Sequence, residues 1–149
     1  MTVGPRRNTE QQTRSAFWDD LAEDLKDPEF LRTYVVESIR VATVDRIMNQ
    51  LDAARESAGL SKAALARAIG SNPDAIRRLL TAGNVNPTLG TLAEIAAVFG
   101  MRIALEPLSE DDKANVSVPL LQGEHPDPAA LAAYLVKIRQ GDSAGSLCA

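Results

Sequence analysis

The sequence predicts an all-α protein, and three observations predict it. Apolar residues recur along most of the 149-residue chain at i, i+3, i+4 and i+7, the spacing of one face of an α-helix. Aromatic residues are scarce, at 4%, while Ala and Leu are abundant, a balance that favours helices over sheet. Several glycines stand singly just after a periodic run, where a helix stops.

Taken in order, residues 1–13 are polar and contain Gly4 and Pro5, which predicts a disordered tail. A helical extension is expected over 14–42. Phe17, Trp18, Leu21 and Leu25 line one side of its first helix, with Asp19, Asp20, Glu23 and Asp24 opposite. Asp27-Pro28 stops that helix and caps a second, carrying Phe30, Leu31, Tyr34, Val35 and Ile39, which can run through Arg40-Val41-Ala42-Thr43 into the next domain. That domain is expected over 43–105 and begins with the face Val44, Ile47, Met48, Leu51 and Ala54.

Ser61 then suits the N-cap of a short helix whose apolar positions are Ala64, Leu65, Ala68 and Ile69. Gly70 ends it, at a position where the left-handed conformation favours glycine. Asn72-Pro73-Asp74 restarts the chain as a helix: an N-cap, a proline at the first helical position and a carboxylate at the positive terminus. Ile76, Leu79 and Leu80 form its buried side, and Arg77 and Arg78 reach outward. After the turn-rich Asn84-Val85-Asn86-Pro87-Thr88, Thr88 caps a helix carrying Leu89, Leu92, Ile95, Ala96 and Phe99, closed by Gly100.

Beyond it, Met101-Arg102-Ile103-Ala104-Leu105 alternates and predicts a short strand after the last bundle helix. Residues 106–126 open on Glu106-Pro107-Leu108-Ser109-Glu110-Asp111-Asp112-Lys113 and predict an acidic linker. Asp127-Pro128 starts a C-terminal amphipathic helix and tail over 127–149, with Leu131, Tyr134, Leu135 and Ile138 in one stripe. Such a stripe needs a cover, supplied by its own domain, a sister subunit or a different protein.

The centre of the chain carries the functional signal. Two helices crossing at about 90–120° through a short glycine turn need small residues where they meet. Ala66 stands four residues before Gly70, where a bulky side chain would force the helices apart. Leu65, Ala66, Ile69, Gly70, Ile76 and Leu79 agree on that size pattern, which sets this pair apart from an ordinary helical hairpin with solvated arginines. A second helix with adjacent arginines is what a major-groove DNA reader requires.

The run from about Met48 to Ile103 resembles the lambda-repressor-like, Cro-type (XRE) helix-turn-helix family. The residues carrying the resemblance are Gly59-Leu60-Ser61-Lys62, Leu65-Ala66, Gly70, Ile76, Asn86-Pro87-Thr88-Leu89, Thr91-Leu92 and Ile95-Ala96. Within that family the chain is most similar to HigA-type antitoxins, through Leu79-Leu80-Thr81-Ala82-Gly83 and the lead-in Asp27-Pro28-Glu29-Phe30-Leu31-Arg32-Thr33-Tyr34. A single reader of this size makes too few contacts for strong discrimination, so a homodimeric repressor of a palindromic operator is expected. The resemblance implies an antitoxin that pairs with a small basic toxin and represses its own operon. The alternatives are a stand-alone regulator with no toxin partner and a mainly protein-sequestering antitoxin using its acidic extensions. The chain departs from the family pattern at Lys62, where glutamine is usual, at Ser71, where an apolar residue is usual, and at Asp74, which brings a carboxylate toward phosphate. These departures leave the operator sequence open.

The DNA-binding candidates are Lys62 and Asn84 on phosphate, Arg77 and Arg78 on a guanine edge and the backbone, and Asn72 and Asp74 near the bases. Asn86 is a further loop candidate for phosphate. Helix capping accounts equally well for Asn72 and Asp74. Arg6, Arg7 and Arg14 fit a solvated tail better than a DNA-contacting arm.

The whole chain carries −4, which alone would argue against DNA. From Ala58 to Leu105, however, five cations (Lys62, Arg67, Arg77, Arg78, Arg102) face two anions (Asp74, Glu94), a net +3, so the remainder carries −7. DNA affinity follows a local basic face, and acidic extensions suit a basic protein partner. The lone Cys148 fits a tail residue and the lone His125 a loop residue. With no paired His/Cys ligands, nucleophile motif or phosphate-cradling glycine loop, neither an enzyme, a metal nor a cofactor is expected. No leader-like or membrane-spanning apolar run appears, so a cytoplasmic protein is expected.

Overall fold

The structure, a computed structural model, describes residues 6–81 and 86–141. Among them are eight helices: α1 (Arg6–Asp24), α2 (Pro28–Ser57), α3 (Lys62–Ala68), α4 (Pro73–Thr81), α5 (Leu89–Val98), α6 (Glu110–Asn115), α7 (Ser117–Gln122) and α8 (Pro128–Arg139). They divide into two compact units. One combines the residues up to Ala42 with those from Leu108 onward, and the other spans Thr43–Pro107. Helix α2 contributes its first half to one unit and its second half to the other.

The discontinuous unit is built around Leu21 and Leu25 of α1, Leu31, Val35 and Ala42 of α2, Val116, and Leu131, Ala132, Leu135 and Ile138 of α8. Helix α8 packs on α1, so its apolar stripe is covered within its own unit. Caps start these helices as the sequence indicates: Asp27 Oδ2 accepts from the Phe30 N–H at 3.1 Å, and Asp127 Oδ1 from the Ala130 N–H at 3.1 Å.

Two differences from expectation fall here. Helix α1 starts at Arg6, inside the stretch expected to be a disordered tail; Gln12 and Arg14 have unbranched side chains that lose little freedom in a helix. Residues 106–126 form α6 and α7 rather than a plain linker. The acidic run Glu110-Asp111-Asp112 is the first turn of α6, where negative charge complements the helix dipole. Ser109 Oγ accepts from the Asp112 N–H at 3.1 Å and donates to Asp112 Oδ2 at 2.8 Å, and Val116 and Pro119 are buried.

Two polar groups inside this unit are fully satisfied. Ser38 donates to the Tyr34 carbonyl at 2.7 Å and accepts from Arg139 Nε at 2.6 Å, while the Arg139 guanidinium lies 4.3 Å over the Tyr34 ring. Buried Asp112 also accepts from the Tyr134 hydroxyl at 2.6 Å. His125 joins α6 to the start of α8, with Nε2 3.1 Å from Asn115 Oδ1 and Nδ1 accepting the Asp127 N–H at 3.0 Å.

Burial, reinforced by the hydrogen bond to Asp112 and the nearby Asp111 charge, holds the Tyr134 hydroxyl well above the ordinary tyrosine range. Above pH ~10 the unfolded chain loses this proton while the folded unit keeps it, so stability falls as pH rises. Urea unfolding between pH 7 and 10.5 will show that decline in the wild type and a flatter curve in Tyr134→Phe. At pH 7 the variant will be less stable by about 1–3 kcal/mol, since Asp112 loses a donor inside the core. Equal pH slopes for the two proteins would contradict this account.

The second unit encloses Met48 and Leu51 of α2, Leu65 and Ala66 of α3, Ile76 of α4, and Leu92, Ile95 and Ala96 of α5. The buried side of α3 is Leu65, Ala66 and partly Ile69, whereas Ala68 is exposed. Leu89, expected on the buried side of α5, is also exposed. Met101–Leu105 forms no strand, nor does any other described segment. A strand needs a neighbour to complete its ladder, and none is described beside these residues. Ile103 packs on the core while Met101 and Leu105 stay exposed, so the alternation anchors a single residue.

Candidate nucleic-acid interface

Helix α3 begins at Ser61, whose Oγ accepts the Ala64 N–H at 3.0 Å, which places Lys62 at its first residue. It ends through Gly70, at φ +65°, with the Ser71 N–H returning to the Ala66 carbonyl at 2.8 Å. Nothing lies within 4 Å of a Cβ built on Gly70, so glycine is needed for the backbone turn and not for space. Ala66 and Leu65, both fully buried, let α4 pack directly on α3.

Asn72 Oδ1 accepts the Asp74 N–H at 2.8 Å, so Asn72 is the residue that caps α4 and still has its amide N–H groups to donate. The Asp74 carboxylate does not cap. It pairs instead with Arg77, Oδ1 to Nη1 at 3.1 Å, with both side chains about two-thirds exposed. Arg78 Nε donates to the Asp74 carbonyl at 3.4 Å. Ile76 is buried, Leu79 and Leu80 are partly buried against the core, and Asp74, Arg77, Arg78 and Thr81 are exposed. At about 100° per residue, Asp74 lies nearly opposite the Ile76-Leu79-Leu80 stripe, flanked by the two arginines.

Asp74, Arg77 and Arg78 therefore share one helix, with Asn72 at its N-terminal cap. Among the described residues, Lys62 is joined to none of them by a hydrogen bond or ion pair. Asn86 is exposed just before α5, and Asn84 lies outside the described residues, as does Cys148. Thr88 Oγ1 caps α5 by accepting the Thr91 N–H at 3.2 Å.

The motif-based candidates omit one arginine with a defined role. Arg55 is 14% exposed; its Nε lies 2.8 Å from Asp52 Oδ1 and its Nη1 donates to the Leu60 carbonyl at 2.9 Å. It ties the end of α2 to the turn before α3 and is spent on the fold. The Asp52/Arg55 i, i+3 spacing is its sequence signal. Arg67 and Arg102 are exposed cations of the same unit.

A short crossed helix pair, closed by a glycine turn and presenting an outward basic face on its second helix, is the architecture found. Residues 51–105 match the family model described as Helix-turn-helix. Over this segment the chain is similar to helix-turn-helix domains of the XRE type. No curated protein and no solved structure matches the chain. In this helix-turn-helix domain α4 holds the place of the second helix, the one that enters the major groove in such motifs, with α3 crossing behind it. The family is a DNA-binding one. Among the described residues, no helix is long and apolar enough to cross a membrane, and no cluster of three or more His, Cys, Asp or Glu is arranged to hold a metal ion.

Proposed function

We propose that this protein is a sequence-specific transcriptional regulator, a homodimeric repressor that reads a palindromic operator through α4. The observation that carries the reading is the outer face of α4, where Arg77 and Arg78 stand exposed on a helix anchored from behind by buried Ile76. One arginine reads guanine through O6 and N7, and the other holds the sugar-phosphate backbone. Lys62, at the first turn of α3, approaches phosphate, as does exposed Asn86. Asn72 offers its remaining amide donors beside the bases.

One such domain makes too few base contacts for strong discrimination, and a two-fold dimer doubles them. Exposed Met101 and Leu105 support placing the dimer surface there instead of on α8, whose stripe is already covered. Selection from random duplex DNA at fixed salt tests the reading. The expected product is a palindrome with half-sites about 10 base pairs apart. Enrichment no better than for bulk duplex would overturn it.

A second reading, antitoxin of a toxin–antitoxin pair, is favoured by a specific observation. The discontinuous unit is a separate compact body with 14 acidic and 9 basic residues in its two segments, and DNA reading leaves it without a role. A small basic protein suits that charge. Removing residues 1–40 would also take Leu21, Leu25, Leu31 and Val35 out of the core, so loss of binding would say nothing about contact. Lysine substitutions at exposed Asp19, Asp20, Glu23 and Asp24, assayed by co-purification with the product of the adjacent reading frame, separate the two. Failure of that product to co-purify with the wild type would dismiss the antitoxin reading.

A further inference from the structure

We infer that Asp74 is a specificity-determining residue, one that confines the operator to sites presenting a cytosine amino group beside the guanine taken by Arg77. The inference rests on the reading of α4 as the base-contacting helix. Its starting point is an oddity of charge: the residue nearest the centre of the outer face is a carboxylate, not a cation. The fold does not need the Asp74 carboxylate: the capping oxygen of α4 belongs to Asn72, and among the described residues the carboxylate takes no backbone N–H. Its partner is Arg77 at 3.1 Å, so donor and acceptor are presented side by side.

In the major groove that arrangement is selective. Phosphates, guanine O6 and N7, adenine N7 and thymine O4 are all acceptors and repel a carboxylate. The amino groups of cytosine and adenine are the donors available there. Adenine carries its N7 acceptor next to the amino group, whereas cytosine has no acceptor on its own major-groove edge. The side-by-side pair thus matches a guanine acceptor edge with cytosine N4 alongside, within the same or the adjoining base pair. Held by Asp74, the Arg77 guanidinium is also oriented before contact, which lowers the ordering cost of a flexible side chain. In solution the exposed pair is weak; in the groove, with water displaced, the same charges act more strongly.

The experiment compares wild type, Asp74→Asn and Asp74→Ala by site selection and by titration against selected and random duplexes at one salt concentration. In both variants the cytosine preference at one position of each half-site is expected to fall about tenfold or more. Affinity for random duplex is expected to rise, since a negative charge on the face that meets the polyanion is removed. Unchanged circular dichroism melting is expected for both. Identical selected sites and random-duplex affinity in all three proteins would overturn the inference, as would an equal loss on selected and random DNA. Should the wild type itself select no sequence, the reading of α4 has failed; should it select a site that Asp74 does not shape, this inference alone has failed.

Discussion

Replacing Arg77 and Arg78 together with alanine lowers operator affinity by roughly 30- to 1,000-fold at fixed salt, the loss of about 2–4 kcal/mol expected for one base-reading and one phosphate-holding arginine. The effect exceeds the loss of two positive charges, because Arg77→Ala also leaves the Asp74 carboxylate unpaired on the face that meets DNA. Both side chains are exposed, and an i, i+3 surface pair adds only about 0.5 kcal/mol to a helix, so melting stays near that of wild type. A mobility-shift titration checks the first statement and circular dichroism the second. Unchanged affinity would remove α4 from the interface.

Ile76→Ala has the opposite signature. Ile76 is 1% exposed and is the fully buried residue of α4, so truncating it costs about 2–5 kcal/mol of stability, transfer and cavity terms together. For a unit of this size that corresponds to a fall in Tm of about 10 °C or more. It is also a large share of the roughly 5–15 kcal/mol that holds a typical domain together. DNA affinity measured well below the new Tm falls far less than in the arginine double variant, since the reading side chains are intact. A melting curve unmoved by this substitution would mean that α4 is not anchored on the core.

The helix-turn-helix domain was legible because its signals are local. Ser61, Asn72 and Thr88 cap the helices that follow them, Gly70 turns the chain at a positive φ, and Pro73 opens α4. Each works within four residues of itself, so it can be seen without knowing the fold. The same locality explains the errors. Alternation at Met101–Leu105 suggests a strand, yet strands depend on a neighbour that sequence pattern does not supply. The acidic stretch after Glu106 suggests a solvated linker because negative charge at a helix start and negative charge in a linker look alike until Ser109 is seen capping α6.

The candidate site divides the same way. That Arg77 and Arg78 point outward follows from the spacing of Ile76, Leu79 and Leu80. That Asn72 caps while Asp74 holds Arg77 does not, because both residue types can cap and side-chain geometry chooses between them.

By itself the sequence determined where most helices begin and end, that Gly70 joins α3 to α4, and that α4 carries two outward arginines. Caps, turns and amphipathic faces are short-range properties of neighbouring residues. Only the tertiary structure decided that segments before Ala42 and after Leu108 share one core, that Arg55 serves the fold, and that Asp74 belongs to Arg77. Those outcomes depend on which buried surfaces meet and which polar groups remain to be paired, and residues far apart in the chain settle both.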